Sequence, residues 1–541
     1  MIQSSGNNKF PVSKYLLSKY LLSIEASCAL DLEAQTQWGF NPFALIEAAG
    51  RACAKRFLNS CPELFSGRPR VTVAAGSGNN AADAMVMLRY YILCGLLDSS
   101  ASALVLNRLP QSGDTSPHAG LVKSLEKMGI PVLVWEDVNT AGKAESIFAN
   151  SDIIIDGIAG TGISGPLRGT LLEMVKAVNS PGFSSPFPIP HSPLPAKPLI
   201  VSVDLPSGNS EQWEPGMPIV KADLTLAIEP QKYCNYTPAA RPFAGKILSV
   251  GGIFPPQLIA RYSGVEFLDW ENSREKITKI RADAYKNERG SVEIWAGNTG
   301  TSGAALIAAR GAQAAGAGLV RLVADETIYP ILASQVAGIM VAKSGVFEDA
   351  SFKADTILLG PGWGKTKDRL LVLDRALLLE KAGTPLILDA DAIELAQDRV
   401  FNGNVILTPH PGEFSKFTGI NRKELLYRPA PILLKYSRER NAVIILKGHV
   451  ITIAAPDGRL GVVDGMLPGL AAGGTGDLLA GFCAAITARM HRQANFDVFN
   501  CAAIAASLLI ETGKSGELKS RFTDPLELAD KAADLAGKAW L

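Results

Sequence analysis

Along most of the chain, short apolar runs rich in β-branched residues alternate with longer Ala- and Leu-rich stretches. A run of four to six apolar residues without polar interruption reads as a strand buried on both faces. The pattern predicts strands at Val71–Ala75, Ala103–Leu106, Ile153–Ile155, Leu199–Val203 and Leu224–Ile228. A second series follows at Val292–Ala296, Val320–Val323, Thr356–Leu359, Leu386–Leu388, Val405–Leu407 and Ala442–Leu446. Helical patterns fill the intervals, so the expected class is α/β, with mostly parallel sheets covered by helices. Two stretches break the rhythm. PGFSSPFPIPHSPLPAKP, Pro181 to Pro198, holds too many prolines for a helix and predicts an extended surface loop. In DWENSREKITKIRAD, Asp269 to Asp283, charge density rises before the apolar pattern resumes. That break divides the chain into domains at 1–265 and 282–541, joined by a linker at 266–281. The echo KYLLSKYLLS does not recur, so no repeat architecture is expected.

Composition narrows the picture. A length of 541 residues implies two or more domains, and 47% hydrophobic content fits a globular protein. A net charge of +1 gives no electrostatic basis for binding nucleic acid or an anionic membrane. No apolar run approaches the ~20 residues needed to cross a bilayer, and the first residues lack a clear signal-peptide pattern. Seven cysteines, an odd number without a CxxC pair, read as buried thiols in a reducing cytoplasm.

Candidate chemistry gathers where strands end. GLAAGGTGDLLAGFCAAI, Gly469 to Ile486, leads from Gly473, Gly474, Thr475 and Gly476 into an apolar helix with Asp477 in its first turn. Backbone amides in such a loop cradle phosphate, and a neighbouring carboxylate can take a proton from an attacking hydroxyl. A glycine turn capped by an aspartate has the same pattern. LGPGWG, LDADAIEL, LTPHPGEF and ILKGHVI place Gly364, Asp389, Asp391, His410 and Lys447 at further strand ends. Ligands of open α/β sheets bind there. In the first half, GSGNNAADAM, Gly76 to Met85, lies between a strand and a helix, with Ala81, Ala82 and Ala84 where glycines are convenient.

The C-terminal motifs, in this order from about Ala282, resemble the ADP/ATP-dependent NAD(P)H-hydrate dehydratases of the ribokinase-like superfamily. TSGAALIAARGAQAAGAGLVRL, Thr301 to Leu322, matches as well; where the family has HKG, this chain reads Tyr285-Lys286-Asn287. The resemblance implies that Lys447, Gly448, His449, Val450 and Ile451, with Gly473–Gly476, line the nucleotide. It implies that Ala304, Gly364, His410 and Asp477 contact the hydrate. It implies ADP or ATP, with magnesium, as co-substrate and Asp477 as the catalytic base. From about Leu22 to Pro255 the chain resembles the NAD(P)H-hydrate epimerases, through LIEAAG, DGIAGTGISGPLRG and SVDLPSG. There the resemblance implies a potassium ion on Asn80, Asp156 and Ser207. It implies a hydrate held by Asn79, Asn80, Asp83, Gly160, Thr161 and Gly162, with Asp204 for proton transfer. The family pattern GNNGGDG reads GNNAADA here, and the alanines are expected to restrict that loop and crowd the ligand, slowing epimerisation.

The expected architecture is a Rossmann-like three-layer α/β/α domain followed by a ribokinase-like α/β/α domain. The expected protein is a cytoplasmic homo-oligomer acting on hydrated NADH and NADPH. The alternative is a small-molecule kinase with a non-catalytic N-terminal binding or dimerisation module.

Overall fold

The computed structural model describes residues 19–140, 143–162, 165–180, 197–344, 352–516, 518 and 521–541. The loop expected over Pro181–Pro198 lies outside them as far as residue 196. The chain forms two units, Met1–Gly264 and Val265–Leu541.

The first unit holds a seven-stranded parallel sheet: β1 (Val71–Ala75), β2 (Ala103–Leu106), β3 (Val132–Val134), β4 (Ile153–Gly157), β5 (Leu199–Val203), β6 (Leu224–Ile228) and β7 (Lys246–Val250). The order is β3-β2-β1-β4-β5-β6-β7, and all neighbours pair in parallel. Successive side chains of a strand point to opposite faces. Val71, Val73 and Ala75 therefore pack with α1 (Ile24–Thr36), α2 (Pro42–Ser60) and α3 (Asn79–Leu93). Ala74, Ile154 and Ile200 face Met174 and Val178 of α4 (Gly169–Val178) on the other side. The chain leaves β1 toward β2 and β3, then returns to lay β4 on the opposite flank of β1. A crevice opens between the carboxyl ends of β1 and β4, the usual ligand position in such a sheet.

The second unit repeats this logic with β8 (Val265–Phe267), β9 (Ser291–Trp295), β10 (Leu319–Ala324), β11 (Met340–Lys343), β12 (Thr356–Leu359), β13 (Leu386–Leu388), β14 (Val405–Leu407), β15 (Val443–Leu446), β16 (Val450–Ala454) and β17 (Leu460–Asp464). The order is β8-β17-β16-β15-β14-β13-β12-β9-β10-β11, antiparallel only at β15–β16 and β16–β17. Val292 and Ile294 face α5 (Ser302–Ala314), α7 (Thr475–Met490), α8 (Val498–Lys514) and α9 (Pro525–Trp540), while Trp295, Leu359 and Leu388 face Phe414 of α6 (Pro411–Thr418). Helix α5 approaches α7 so closely that a Cβ on Gly481 would stand 2.2 Å from the Ala308 carbonyl. Both sheets bear out the expected α/β class. The segment 266–281, expected as a linker, is instead built into the second unit. Val462 of β17 pairs with Phe267, and Trp270 packs edge-on to Trp540 at 5.7 Å. The cysteines differ in part from expectation: all seven are free, but Cys28 and Cys94 are exposed. Among the described residues no helix is long and apolar enough to cross a membrane.

Candidate active sites at the carboxyl ends of the two sheets

In the second unit, the loops after β9, β12, β13, β14 and β15 converge on the first turn of α7. Lys447, directly after β15, donates to Asp389 Oδ1 at 2.7 Å, and Glu413 Oε2 stands 3.9 Å from the same ammonium. Thr408 donates to that Asp389 oxygen at 2.6 Å. Burial alone would lower the Lys447 ammonium, but Asp389, Glu413 and Asp477 hold it above its usual value. Gly476 lies against this lysine, since a Cβ there would be 3.2 Å from Nζ. Asp477 follows in the first turn of α7, where free amides and the helix dipole favour an anion. Burial first, then the charges of Asp389 and Glu413, push Asp477 up to about 7, and Lys447 only partly opposes them.

The turns that shape this floor demand special backbone. Gly360 has φ +123°, and a Cβ there would sit 1.8 Å from the Asp389 carbonyl. Ala390, between the two aspartates of LDADA, is held at φ +45°, ψ −117°. A strained residue beside a buried carboxylate is a common mark of a functional site. Ala304 faces Gly362 across the β9–β12 switch point, Gly364 donates to Asp391 Oδ2 at 2.8 Å, and His410 caps α6. The His410 ring accepts from Gly412 N–H at 2.9 Å, while Glu413 reaches back to the His410 N–H at 2.8 Å. Gly448 and His449 form an exposed turn. Val450 and Ile451 begin β16 with buried side chains and pair with Asp464 and Val463 of β17. Gly473 has no heavy atom within 4 Å of a Cβ position, and Gly474, at φ +95°, packs against Ile307 and Pro525.

In the first unit a cavity of about 630 Å³ opens at the β1–β4 switch point. Asn79, Asn80, Ala81, Asp83, Gly160, Thr161, Gly162 and Asp204, all anticipated from sequence, line it. The Asp156 carboxylate is fully buried; Ser202 Oγ, Ser207 Oγ, Ser207 N–H and Ile158 N–H donate to it at 2.7, 2.5, 3.0 and 3.2 Å. Burial pushes its pKa up despite these bonds. The Asn80 amide donates to the Val203 carbonyl at 2.7 Å, which leaves its Oδ1 toward Gly160. Asp156, Ser207 and Asn80 thus offer hard oxygen donors around a buried negative charge whose four donors are neutral, and this set fits a potassium ion. Among the described residues no cluster of three or more His, Cys, Asp or Glu could hold a metal ion.

Asp204 stands at φ +67°, and its Oδ1 accepts from Lys232 Nζ at 2.8 Å. Lys232 was not evident from the sequence; it joins the site from 28 residues away, after β6. Asp389 and Glu413 sit inside recognised motifs, yet their pairing with Lys447 was equally hidden. The alanine loop needs a correction. Helix α3 begins at Asn79, and no described alanine among positions 81, 82 and 84 has positive φ. The expected backbone restriction is absent, because these alanines are ordinary helical residues. Of the three, Ala81 lines the cavity; the Ala84 methyl instead packs against Gly157.

Residues 292–532 match the family model described as NAD(P)H-hydrate dehydratase, and residues 42–234 match that of the YjeF-related protein N-terminus. The bifunctional NAD(P)H-hydrate repair enzyme of Coxiella burnetii is 27% identical over 83% of this chain and 86% of its own length. Its namesake in Escherichia coli is 26% identical over 91% and 90%. Among solved structures, the ADP/ATP-dependent NAD(P)H-hydrate dehydratase from Bacillus subtilis, co-crystallised with ATP and Mg2+, is 28% identical. It covers 51% of this chain and 99% of its own, with a TM-score of 0.45.

Proposed function

We propose that this chain, which belongs through both of its halves to the bifunctional NAD(P)H-hydrate repair family, returns hydrated NADH and NADPH to use. The second unit dehydrates the S hydrate at the expense of ADP or ATP, and the first interconverts the R and S hydrates. The observation that carries this reading is the fusion itself: both family matches lie in one chain, each over a unit with its own sheet. The kinase alternative leaves the match of the first half without a purpose.

The geometry of the second unit supports a two-stage dehydration. Hydroxide is a poor leaving group, so the ring hydroxyl is first phosphorylated. Asp477 takes the hydroxyl proton as the oxygen attacks the terminal phosphorus. The amides of Gly473–Gly476 and the α7 dipole stabilise charge on the moving phosphoryl group, with Lys447 adjacent. The ring nitrogen then expels phosphate, and loss of a neighbouring ring proton restores the reduced nicotinamide. Magnesium bound to the nucleotide would neutralise phosphate charge. In the first unit, Asn80, Asp156 and Ser207 would hold potassium, which supplies a fixed positive charge beside the hydrate. Asp204 moves a proton at the epimerised centre. We place the protein in the cytoplasm, a reading supported by seven unpaired thiols.

Incubation of each pure hydrate epimer with ADP or ATP tests the proposal. Return of reduced-nicotinamide absorbance, with release of orthophosphate, is the expected result. A stable phosphate ester without that absorbance would overturn it in favour of a kinase.

A further inference from the structure

Two carboxyl groups share the cavity of the first unit in opposite surroundings. Asp204, 4% exposed, accepts from the Lys232 ammonium at 2.8 Å and from Ile228 N–H at 3.2 Å. Lys232 is itself 4% exposed, and it also donates to the Ile228 carbonyl at 3.2 Å. Asp83, in the second turn of α3 and 5% exposed, has an Oδ1 with no hydrogen-bond partner. All three side chains line the same cavity. One ammonium donating to one of two desolvated carboxyls gives them unlike surroundings: Asp204 is held by a cation and a backbone N–H, while Asp83 Oδ1 has neither.

We propose that Asp83 and Asp204 are an acid–base pair at the hydroxyl-bearing ring carbon, and that Lys232 is the positioning residue that keeps Asp204 the base. The proposal rests on the epimerase reading of this unit. The Asp83 acid gives its proton to the ring hydroxyl. The C–O bond breaks with its electron pair on oxygen, water leaves, and the ring-nitrogen lone pair closes a C=N bond. Water then adds to the opposite face of that carbon, the C=N pair returns to nitrogen, and Asp204 accepts the proton that the new oxygen sheds. One water leaves and one enters, one proton is given and one taken, and nothing is oxidised. Solvent returns the proton to Asp83, or the reverse turnover begins with the roles exchanged.

The electrostatics agree with this division. Burial and then the Asp204 charge push Asp83 well above the usual carboxylate range; Lys232 opposes this, and Asp31 of α1 adds to it. Two thiols also stand beside these groups, Cys53 of α2 and Cys234, and burial pushes both up. A carboxyl pushed up in this way keeps its proton and has it available to give to a hydroxyl.

The test uses the full chain with its second unit disabled by Asp477→Asn, supplied with pure R hydrate and potassium in water enriched in oxygen-18. The parent should convert R to S above the spontaneous rate, with label entering in step with inversion. Asp83→Asn should slow conversion by about 10²-fold or more, with an unchanged circular dichroism spectrum. Lys232→Met should lower kcat about tenfold or more with the hydrate KM nearly unchanged, as Asp204 loses the ammonium that holds it, and Lys232→Arg should restore part of kcat. Asp83→Asn at the parental rate, or inversion without label, overturns the proposal. Should Asp83→Asn fail to fold, the Lys232→Met kinetics decide, and an unchanged kcat overturns it. A parent that never exceeds the spontaneous rate defeats the epimerase reading, and this proposal with it.

Discussion

Replacing Asp477 by asparagine should separate activity from stability in opposite directions. The folded carboxyl titrates near 7, against 3.8 for a free aspartate. As a base it must be ionised, so kcat/KM for the S hydrate should rise with pH through an inflection near 7. About a tenth of the groups are ionised at pH 6 and about nine-tenths at pH 8. Asparagine cannot take the proton, so dehydration should fall by about 10²–10⁴-fold and lose this limb. The stability sign is the reverse. A folded pKa above the unfolded one means that the native state binds more protons between about pH 4 and 7, so this carboxyl destabilises the fold as pH rises through that window. The ceiling is about 4 kcal/mol at pH 8, and solvent reaching Asp477 lowers the realised figure. Asp477→Asn should therefore melt higher than the parent at pH 8 and nearly level with it at pH 4. Coupled absorbance of reduced nicotinamide across pH, with calorimetry at both pH values, makes the measurement. A parental rate in the variant, or an acid limb centred near 4, would refute the assignment of the base.

Gly476→Val should raise the nucleotide KM by about tenfold or more, since a Cβ stands 3.2 Å from Lys447 Nζ and a branched side chain displaces the ammonium from Asp389; an unchanged KM would show the loop to be a turn alone. His410→Ala removes the acceptor that caps α6 and frees Glu413 beside Lys447, so it should cost about 1 kcal/mol in denaturant unfolding and raise the hydrate KM; loss of stability with KM unchanged would confine His410 to capping. Ala81→Gly should account for whatever gain in R-hydrate conversion the triple change Ala81→Gly, Ala82→Gly, Ala84→Gly gives, because only Ala81 of the three lines the cavity. Each glycine in α3 should cost about 1 kcal/mol, and a triple variant that outpaces Ala81→Gly would contradict this placement.

Most interior strands were legible because burial on both faces leaves an unbroken apolar run; β1, β2, β5, β6, β12, β13 and β14 begin and end as that pattern predicts, whereas the interior strands β16 and β17 were not anticipated. The strands β3, β7 and β11 were not, since they are sheet edges whose side chains are partly exposed and whose pattern is mixed. The strand β8, three residues long and followed at once by a charged stretch, was absorbed into an expected linker. Phosphate-type loops show in sequence because their glycines must be contiguous. Ion pairs such as Lys232–Asp204 and Lys447–Asp389 do not, because 28 and 58 residues separate the partners and only the order of strands in the sheet brings them together. The alanines of GNNAADA show the limit of reading one segment by itself. The close approach there is made possible from the other side, by Gly157, where a Cβ would meet the Asn80 carbonyl at 2.8 Å, and by Gly50, where it would meet the Asp83 carbonyl at 2.7 Å. A glycine is required where two backbones touch, and either partner can supply it. Because Gly157 and Gly50 do so here, positions 82 and 84 are free to be alanine, and helix α3 gains propensity without moving the side chains of Asn80 and Asp83 out of the cavity.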